Sequence, residues 1–580
     1  MHGPRLHLLG DSRFGPAGWW VFDAPHAELV ASTVQEVVEV MAEVDRATRA
    51  QGRWAAGFVA YEAAPAWEPR AAVRKASDSR PLAWFGIFDP PRPAAPPPIP
   101  TAFSPLELEP ELDGDAHGAA IAAIHQAIAR GDTYQANFSY RLRGAFRGSA
   151  TELFGQLVHA QRSPYSCLLE HPDWALVSVS PELFFERLGT AITCRPMKGT
   201  TRRGRNLAED HELARVLTRS PKERAENLMI VDMVRNDLGR IARPGSVAVP
   251  RLFAVERFAT VSQMISEVTA ETSAELPELF RALFPCASIT GAPKLATMAL
   301  LAELERSPRG AYTGALGFVA PGGNCRFSVG IRSAWLDRRT ATLEYGTGGG
   351  IVWDSRADAE LAETRLKARV LAPAPPPFEL LETLRWQPGE GFVLLTRHLD
   401  RMTESAEYFL RPFDRTAALG ALEAAVTPLP DRVLVVRLLL DAVGRLRTTT
   451  QPPTGSPRRW RVRFAREPVA ADDPFLHHKT TLRDVYEAAL HSAPGADEVL
   501  LWNAAGEVTE GTRTNLAVEL DGQLWTPPLS CGLLPGCLRA EALARGRLRE
   551  RVLHREDVLG ARRVYLFNSV RGWRRAVVTQ

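Results

Sequence analysis

Two lysines stand in frames suited to chemistry. Lys198 lies in Arg195-Pro196-Met197-Lys198-Gly199-Thr200. Proline and glycine both break regular helix, so this amine is expected on a turn or strand end, where it can face a ligand. Lys479 stands in Leu476-His477-His478-Lys479-Thr480-Thr481. Paired carboxylates accompany the first lysine. Glu223 and Glu226 are three apart in the helical stretch Lys222 to Asp232 and project from one face; Glu360 and Glu363 repeat the pattern. Two such pairs facing one cavity would suit a hard divalent cation such as magnesium. Taken alone, each pair reads as a solvated helix face, and spacing does not show that the pairs meet.

Anion sites are suggested by backbone chemistry. Gly346-Thr347-Gly348-Gly349-Gly350-Ile351-Val352 would let main chain approach a ligand and donate N–H groups, or would form a tight loop between a strand and a helix. Ser288-Ile289-Thr290-Gly291-Ala292-Pro293-Lys294 looks like a loop opening a helix, whose free N–H groups favour a carboxylate. Arg332 could clamp a carboxylate through two bonds. Further on, Pro535 at the first turn of an expected helix leaves the Gly536 to Leu538 N–H groups free for a phosphate. Glu510 could hold a pyridine nitrogen protonated, which makes the ring an electron sink.

The elements that must position these groups follow from length and punctuation. A chain of 580 residues exceeds one core, so two or three domains are expected. The net charge of +3, with both signs spread along the chain, argues against a nucleic-acid partner. Six cysteines without a CxxC pair indicate free thiols in a reducing compartment, and no signal peptide or membrane span is evident, so a cytoplasmic protein is expected. Proline-rich stretches at Asp89 to Pro100 and Ala372 to Pro377 resist helix and central strand; the second is the expected domain boundary. Strands are expected at Trp19 to Phe22, Trp54 to Tyr61, Trp84 to Phe88 and Phe378 to Arg385, and helices at Thr33 to Ala50 and Leu361 to Leu371.

In order along the chain, Tyr134-Gln135-Ala136-Asn137, Ser180-Pro181-Glu182-Leu183, PMKGT, KERAENLMIVDMVRNDLG, SITGAPK, GTGGGIV and the final ExxE resemble the chorismate-utilising enzyme family, which includes the anthranilate, aminodeoxychorismate, isochorismate and salicylate synthases. The resemblance covers about 115–372, with 1–110 as the family's variable N-terminal part. It implies that Glu226 and Glu363 bind Mg2+, supported by Glu223 and Glu360. Glu182 would be the general acid toward the C4 hydroxyl of chorismate, its proton retained through burial and neighbouring carboxylates. Thr290, Tyr312, Arg332 and the Gly348, Gly349 and Gly350 backbone would orient the substrate carboxylates. Lysine at 198 implies attack at C2 by the side chain, followed by amination at C4; desolvation and cations such as Arg195 would lower its pKa. Gln135, standing where water-activating members carry lysine, argues against water as nucleophile. Gln263 occupies the place of a family histidine, which puts a histidine-dependent step in doubt. No cysteine has a glutaminase frame, so a separate glutaminase subunit is implied.

The segment 378–580 resembles the class IV pyridoxal-phosphate fold, through HHKTT, EVTEGTRTNL, WTPP, GLLPGCLR and FNSVRG. The resemblance implies that Lys479 forms the Schiff base with pyridoxal 5'-phosphate and Glu510 pairs with the pyridine nitrogen. Leu534 would pack on the ring. Arg401, the Cys537 and Leu538 amides and Ser569 would meet the phosphate, and Thr383 would assist proton transfer. The expected architecture is α+β: a sheet-rich chorismate-binding domain, a linker at 373–377, and a two-subdomain class IV aminotransferase-like domain. The expected function is bifunctional 4-aminobenzoate synthesis, with dimerisation through the second half. The alternatives are an anthranilate synthase component joined to an aminotransferase, and a non-catalytic scaffold that binds the glutaminase.

Overall fold

The computed structural model describes residues 3–75, 80–100, 106–429, 431–455, 457 and 459–579. The chain divides into two compact units. One comprises Met1–Arg202 and Ala214–Pro375, the other Arg203–Leu213 and Pro376–Gln580. The architecture is α+β, sheet-rich in the first unit and mixed in the second. Among the described residues, no helix is long and apolar enough to cross a membrane.

The first unit is built on two ten-stranded sheets. Strands Trp54–Val59 and Ala83–Phe88 are buried at every position. Both faces are covered, so the sequence reads as continuous apolar runs without alternation. One face meets an aromatic core shared with the other sheet, where Trp20 meets Trp54 and Phe58 meets Trp174, each edge to face at 5.7 Å. The other face lies under helix Val34–Ala50, which buries Val37, Met41 and Val44. Thr33 and Glu36 close a capping box at its start. The strand expected to reach Tyr61 ends at Val59, and a tight turn of helix, Tyr61–Ala66, accommodates Pro65.

The glycine run is a strand where a loop was the alternative expected. It forms the second half of Thr342–Ile351, paired residue for residue with Gln135–Ala145 up to Ile351 opposite Ala136. On the other edge, pairing with Ser333–Asp337 stops at Tyr345. Residues 346–351 therefore have no strand partner on that edge among the described residues. At Gly346 and Gly348 glycine is required because ring or backbone neighbours fill the side-chain space, and at Gly350 the ends of Lys198 and Gln135 occupy it. A Cβ at Gly346 would sit 2.1 Å from the Tyr312 ring, and one at Gly350 would sit 2.5 Å from Lys198 Nζ.

The second unit holds a four-stranded and an eight-stranded sheet. In the smaller, strand Leu380–Gln387 pairs with Leu434–Leu440, and helices Leu395–Tyr408 and Arg415–Val426 pack on it through Leu399, Met402 and Leu422. Leu381 N donates to the Lys479 carbonyl at 2.9 Å, which fastens the second lysine to this strand. In the larger sheet, Val508–Gly511 ends beside Asn515–Leu520.

Candidate active sites

Helix Pro221–Gly239 begins with Ser220 accepting from Glu223 N at 3.3 Å and proline at the first helical position. Asn227 on this helix donates to the Lys198 carbonyl at 3.3 Å and accepts from Ser266 Oγ at 2.5 Å, which fixes the lysine's main chain. Lys198 lies in strand Met197–Arg202, and the next residue, Gly199, has φ +98°; a Cβ there would lie 2.9 Å from Glu223 Oε2. Only glycine suits both the backbone and the space.

Helix Ala357–Ala368 brings Glu360 and Glu363 to the cavity that Glu223, Glu226, Lys198 and Glu182 also line. The two carboxylate pairs therefore meet. Burial raises Glu223, Glu226 and Glu360 above the usual carboxylate range, Glu226 to about 7. Glu363 is lowered by Lys367, whose Nζ lies 2.7 Å from its Oε1. The four carboxylates are hard oxygen donors of the kind a divalent cation takes, with Glu226 also 3.8 Å from Lys222 Nζ.

Burial lowers the Lys198 amine, with Lys367 adding to the effect and Glu226 and Glu182 opposing it. Arg195 does not supply this push as expected, because it pairs with Glu256 and reaches Tyr165. Glu182 is pushed up to about 7 by burial, against the bond from Ser288 Oγ at 2.6 Å and the longer one from Met197 N. Neighbouring carboxylates are not the cause.

Tyr312, Arg332, Gly348 and Gly350 line the same cavity. The Gln135 amide reaches Gly350, where a Cβ would lie 2.7 Å from Nε2. Gly349 faces Glu360 in the same way, at 3.2 Å. Both Gln135 amide atoms, Gln263 Oε1 and Arg332 Nη1 are buried without a partner among the described residues. Of these, Gln263 and Arg332 line the cavity, whereas Gln135 lies behind Gly350 and does not. Thr290 differs from expectation: its hydroxyl donates inward to the Cys286 and Ala287 carbonyls, and Ser288 and Ile289 line the cavity instead. Behind this wall the buried Arg309 pairs with Glu305 at 2.6 Å and donates to the Ile289 and Asn137 carbonyls. Sequence reasoning missed Lys367, which bonds the Gly348 carbonyl at 2.9 Å. Its place four residues after Glu363 on one helix face was the available signal.

The second site gathers Lys479, Thr383, Arg401, Glu510, Leu534, Cys537 and Ser569 around one cavity. Burial lowers Lys479 to about 8, with Arg401 contributing. Glu510 is raised to about 8 by burial, although it accepts from Leu534 N, Tyr486 Oη and Asn515 Nδ2 at 3.2, 3.0 and 3.2 Å. It has no ion-pair partner among the described residues, and a protonated ring nitrogen would supply one. Helix Cys537–Ala544 opens at Gly536, one residue after Pro535, so the proline precedes the first turn expected to hold it. The first intrahelical bond runs from Ala540 N to the Gly536 carbonyl, which leaves the Cys537 and Leu538 amides free of helical partners. The Leu538 side chain turns away into a small apolar cluster, so only its amide suits the assigned contact. A Cβ at Gly536 would lie 1.8 Å from Asn515 Oδ1.

Two residues here were missed. Glu382 accepts two bonds from Arg401 and one from His398 Nδ1 at 2.6 Å. Burial opposes charge on His398, but Glu382 overcomes it and holds the ring at about 9. His398 Nε2 meets Ser569 Oγ at 2.9 Å. Glu382, His398 and Cys537 cluster like metal ligands. Two cations against one carboxylate instead suit an anion, and with the free helix amides the residues fit the phosphate of pyridoxal phosphate.

Residues 379–577 match the family described as amino-transferase class IV. Aminodeoxychorismate synthase component 1 of Klebsiella aerogenes is 42% identical over 257 residues, 44% of this chain and 56% of that protein. Anthranilate synthase component 1 3 of Haloarcula marismortui is 37% identical over 277 residues, 47% of this chain and 55% of that protein. The chain thus spans little more than half the length of these curated relatives. The crystal structure of anthranilate synthase component I from Streptococcus pneumoniae shares the fold of the first unit, with a TM-score of 0.54 at 22% identity over 63% of this chain and 92% of that one. Residues 12–373 match the chorismate binding enzyme family, and the chain belongs to it.

Proposed function

We propose that the chain makes 4-aminobenzoate from chorismate and ammonia in two steps. The observation that carries the first step is Lys198, an amine lowered by burial in the same cavity as Glu182 and both carboxylate pairs. Lys198 Nζ bonds to C2 of chorismate as Glu182 protonates the departing C4 hydroxyl, which leaves as water. Ammonia then bonds to C4 and Lys198 is released from C2. Glu182, poised at about 7, holds its proton near neutral pH. Arg332 Nη1, buried and unpartnered among the described residues, orients the substrate's polar groups. Glu226 and Glu363, with Glu223 and Glu360 beside them, would hold magnesium, which supplies positive charge toward a substrate carboxylate. The ammonia comes from a separate glutaminase.

In the second step, pyridoxal phosphate held by Arg401, Glu510, Ser569 and the Cys537 and Leu538 amides would supply an electron sink. Lys479 takes the proton from C4, the carbon bearing the new amine. The C3–O bond breaks, the departing enolpyruvate takes up that proton to become pyruvate, and the ring becomes aromatic. Relatives named for either amination product match the first unit, and the lysine at 198 favours C4 over C2.

The test is mass identification of products from chorismate, ammonium, magnesium and pyridoxal phosphate. We expect 4-aminobenzoate from the native chain and no aminated product from Lys198→Ala. Anthranilate from the native chain would overturn C4 amination; aminodeoxychorismate without 4-aminobenzoate would overturn the second step.

A further inference from the structure

Residues 203–213 directly follow the Lys198 strand in sequence, yet they form part of the second unit. Their fastening there is specific. Tyr408 Oη donates to the Gly204 carbonyl at 2.7 Å, and Arg203 Nη2 donates to the Tyr408 carbonyl at 2.7 Å. The Arg203 guanidinium lies over the Tyr408 ring at 4.5 Å. The same ring stacks on His478 at 4.3 Å, and His478 precedes Lys479 in the chain.

We propose that residues 203–213 are a positioning element of the Lys479 site, acting through Tyr408 and His478. Each link is fixed by a second contact. Arg203 is paired with buried Asp210 at 2.9 Å, and Asp210 Oδ1 also accepts from Gly204 N at 2.8 Å. Gly204 approaches so closely that a Cβ would lie 2.3 Å from Asp210 N. His478 Nδ1 shares a hydrogen bond with Ser405 Oγ at 2.9 Å, and burial holds the ring neutral. Beyond His478, the Lys479 carbonyl is tied to Leu381 N. The main chain of the lysine is thus gripped from both sides, and one grip comes from residues outside 376–580. No member of the chain Arg203, Tyr408, His478 faces the cofactor cavity, so the element acts on the orientation of Lys479 and not on the reacting atoms.

The inference rests on reading Lys479 as the cofactor lysine. The experiment titrates pyridoxal phosphate into the cofactor-free full chain, as native protein, Arg203→Ala, Arg203→Lys and Tyr408→Phe. It reads the dissociation constant and the pH midpoint of the visible absorption of the bound cofactor. Loss of the buried hydroxyl bond is expected to weaken binding about tenfold in Tyr408→Phe, and Arg203→Ala, which loses its bonds to both Asp210 and the Tyr408 carbonyl, should weaken it at least as much. Each substitution should also move the pH midpoint, and Arg203→Lys should recover part of both effects. Native affinity and midpoint in Tyr408→Phe, which keeps the ring and the fold, would overturn the proposal even if Arg203→Ala failed to fold. Absence of binding by the native chain would overturn the cofactor reading, and the proposal with it.

Discussion

Glu510→Gln should make the cofactor-free protein more stable and the cofactor-loaded protein less so. Glu510 goes from an ordinary 4.5 to about 8 because burial costs its charged form more than three hydrogen bonds return. A raised carboxyl binds more protons folded than unfolded between these values. Stability therefore falls as pH rises from 4.5 to about 8, and the full deficit persists above that. At 1.36 kcal/mol per pH unit the deficit is about 5 kcal/mol. Glutamine removes the charge but turns an N–H toward Asn515 Nδ2, a lost bond worth about 1 kcal/mol. The net gain at pH 9 is thus about 4 kcal/mol, or roughly 10 °C in the melting of a unit this size. Lys479 acts in the adjoining window: lowered from 10.5 to about 8, it binds fewer protons folded than unfolded. Its contribution rises with pH between those values, so these two groups together destabilise the cofactor-free protein most near pH 8. Calorimetry of both proteins from pH 5 to 9, with and without pyridoxal phosphate, checks this. A cofactor-free Glu510→Gln protein no more stable than the native one at pH 9 would refute the uncompensated carboxylate.

Two further outcomes are expected. Gly350→Ala places a methyl 2.5 Å from Lys198 Nζ while keeping an allowed backbone, so chorismate amination should fall about 100-fold with unchanged circular dichroism, as for other misplacements of about 1 Å. Arg309→Met leaves Glu305 buried without its cation and should cost about 3–5 kcal/mol in urea denaturation of the first unit.

Local chemistry was legible where one short segment carries its own meaning. The shared face of each carboxylate pair follows from helical spacing alone. The glycine run was ambiguous because its partner strand lies 200 residues earlier; glycine's freedom suggests a loop, while Gln135–Ala145 makes it a strand. Arg195 misled because its sequence neighbour Lys198 faces the cavity while its own guanidinium finds Glu256. Thr290 misled in a similar way, since a hydroxyl in a loop can bond its own turn. Lys367 and Glu382 were unread because their meaning depends on partners from other segments.

The glycine strand has a consequence for how this protein can change. Positions 346, 348 and 350 form a wall made of main chain; the Tyr312 ring closes 346 and the Phe138 carbonyl closes 348, while 350 is bounded by the ends of Lys198 and Gln135. At 346 and 348, mutation cannot retune that wall one residue at a time. New substrate preference must arise from the side chains around it, Lys198 and Gln135 among them. The wall is the invariant gauge against which those few residues vary.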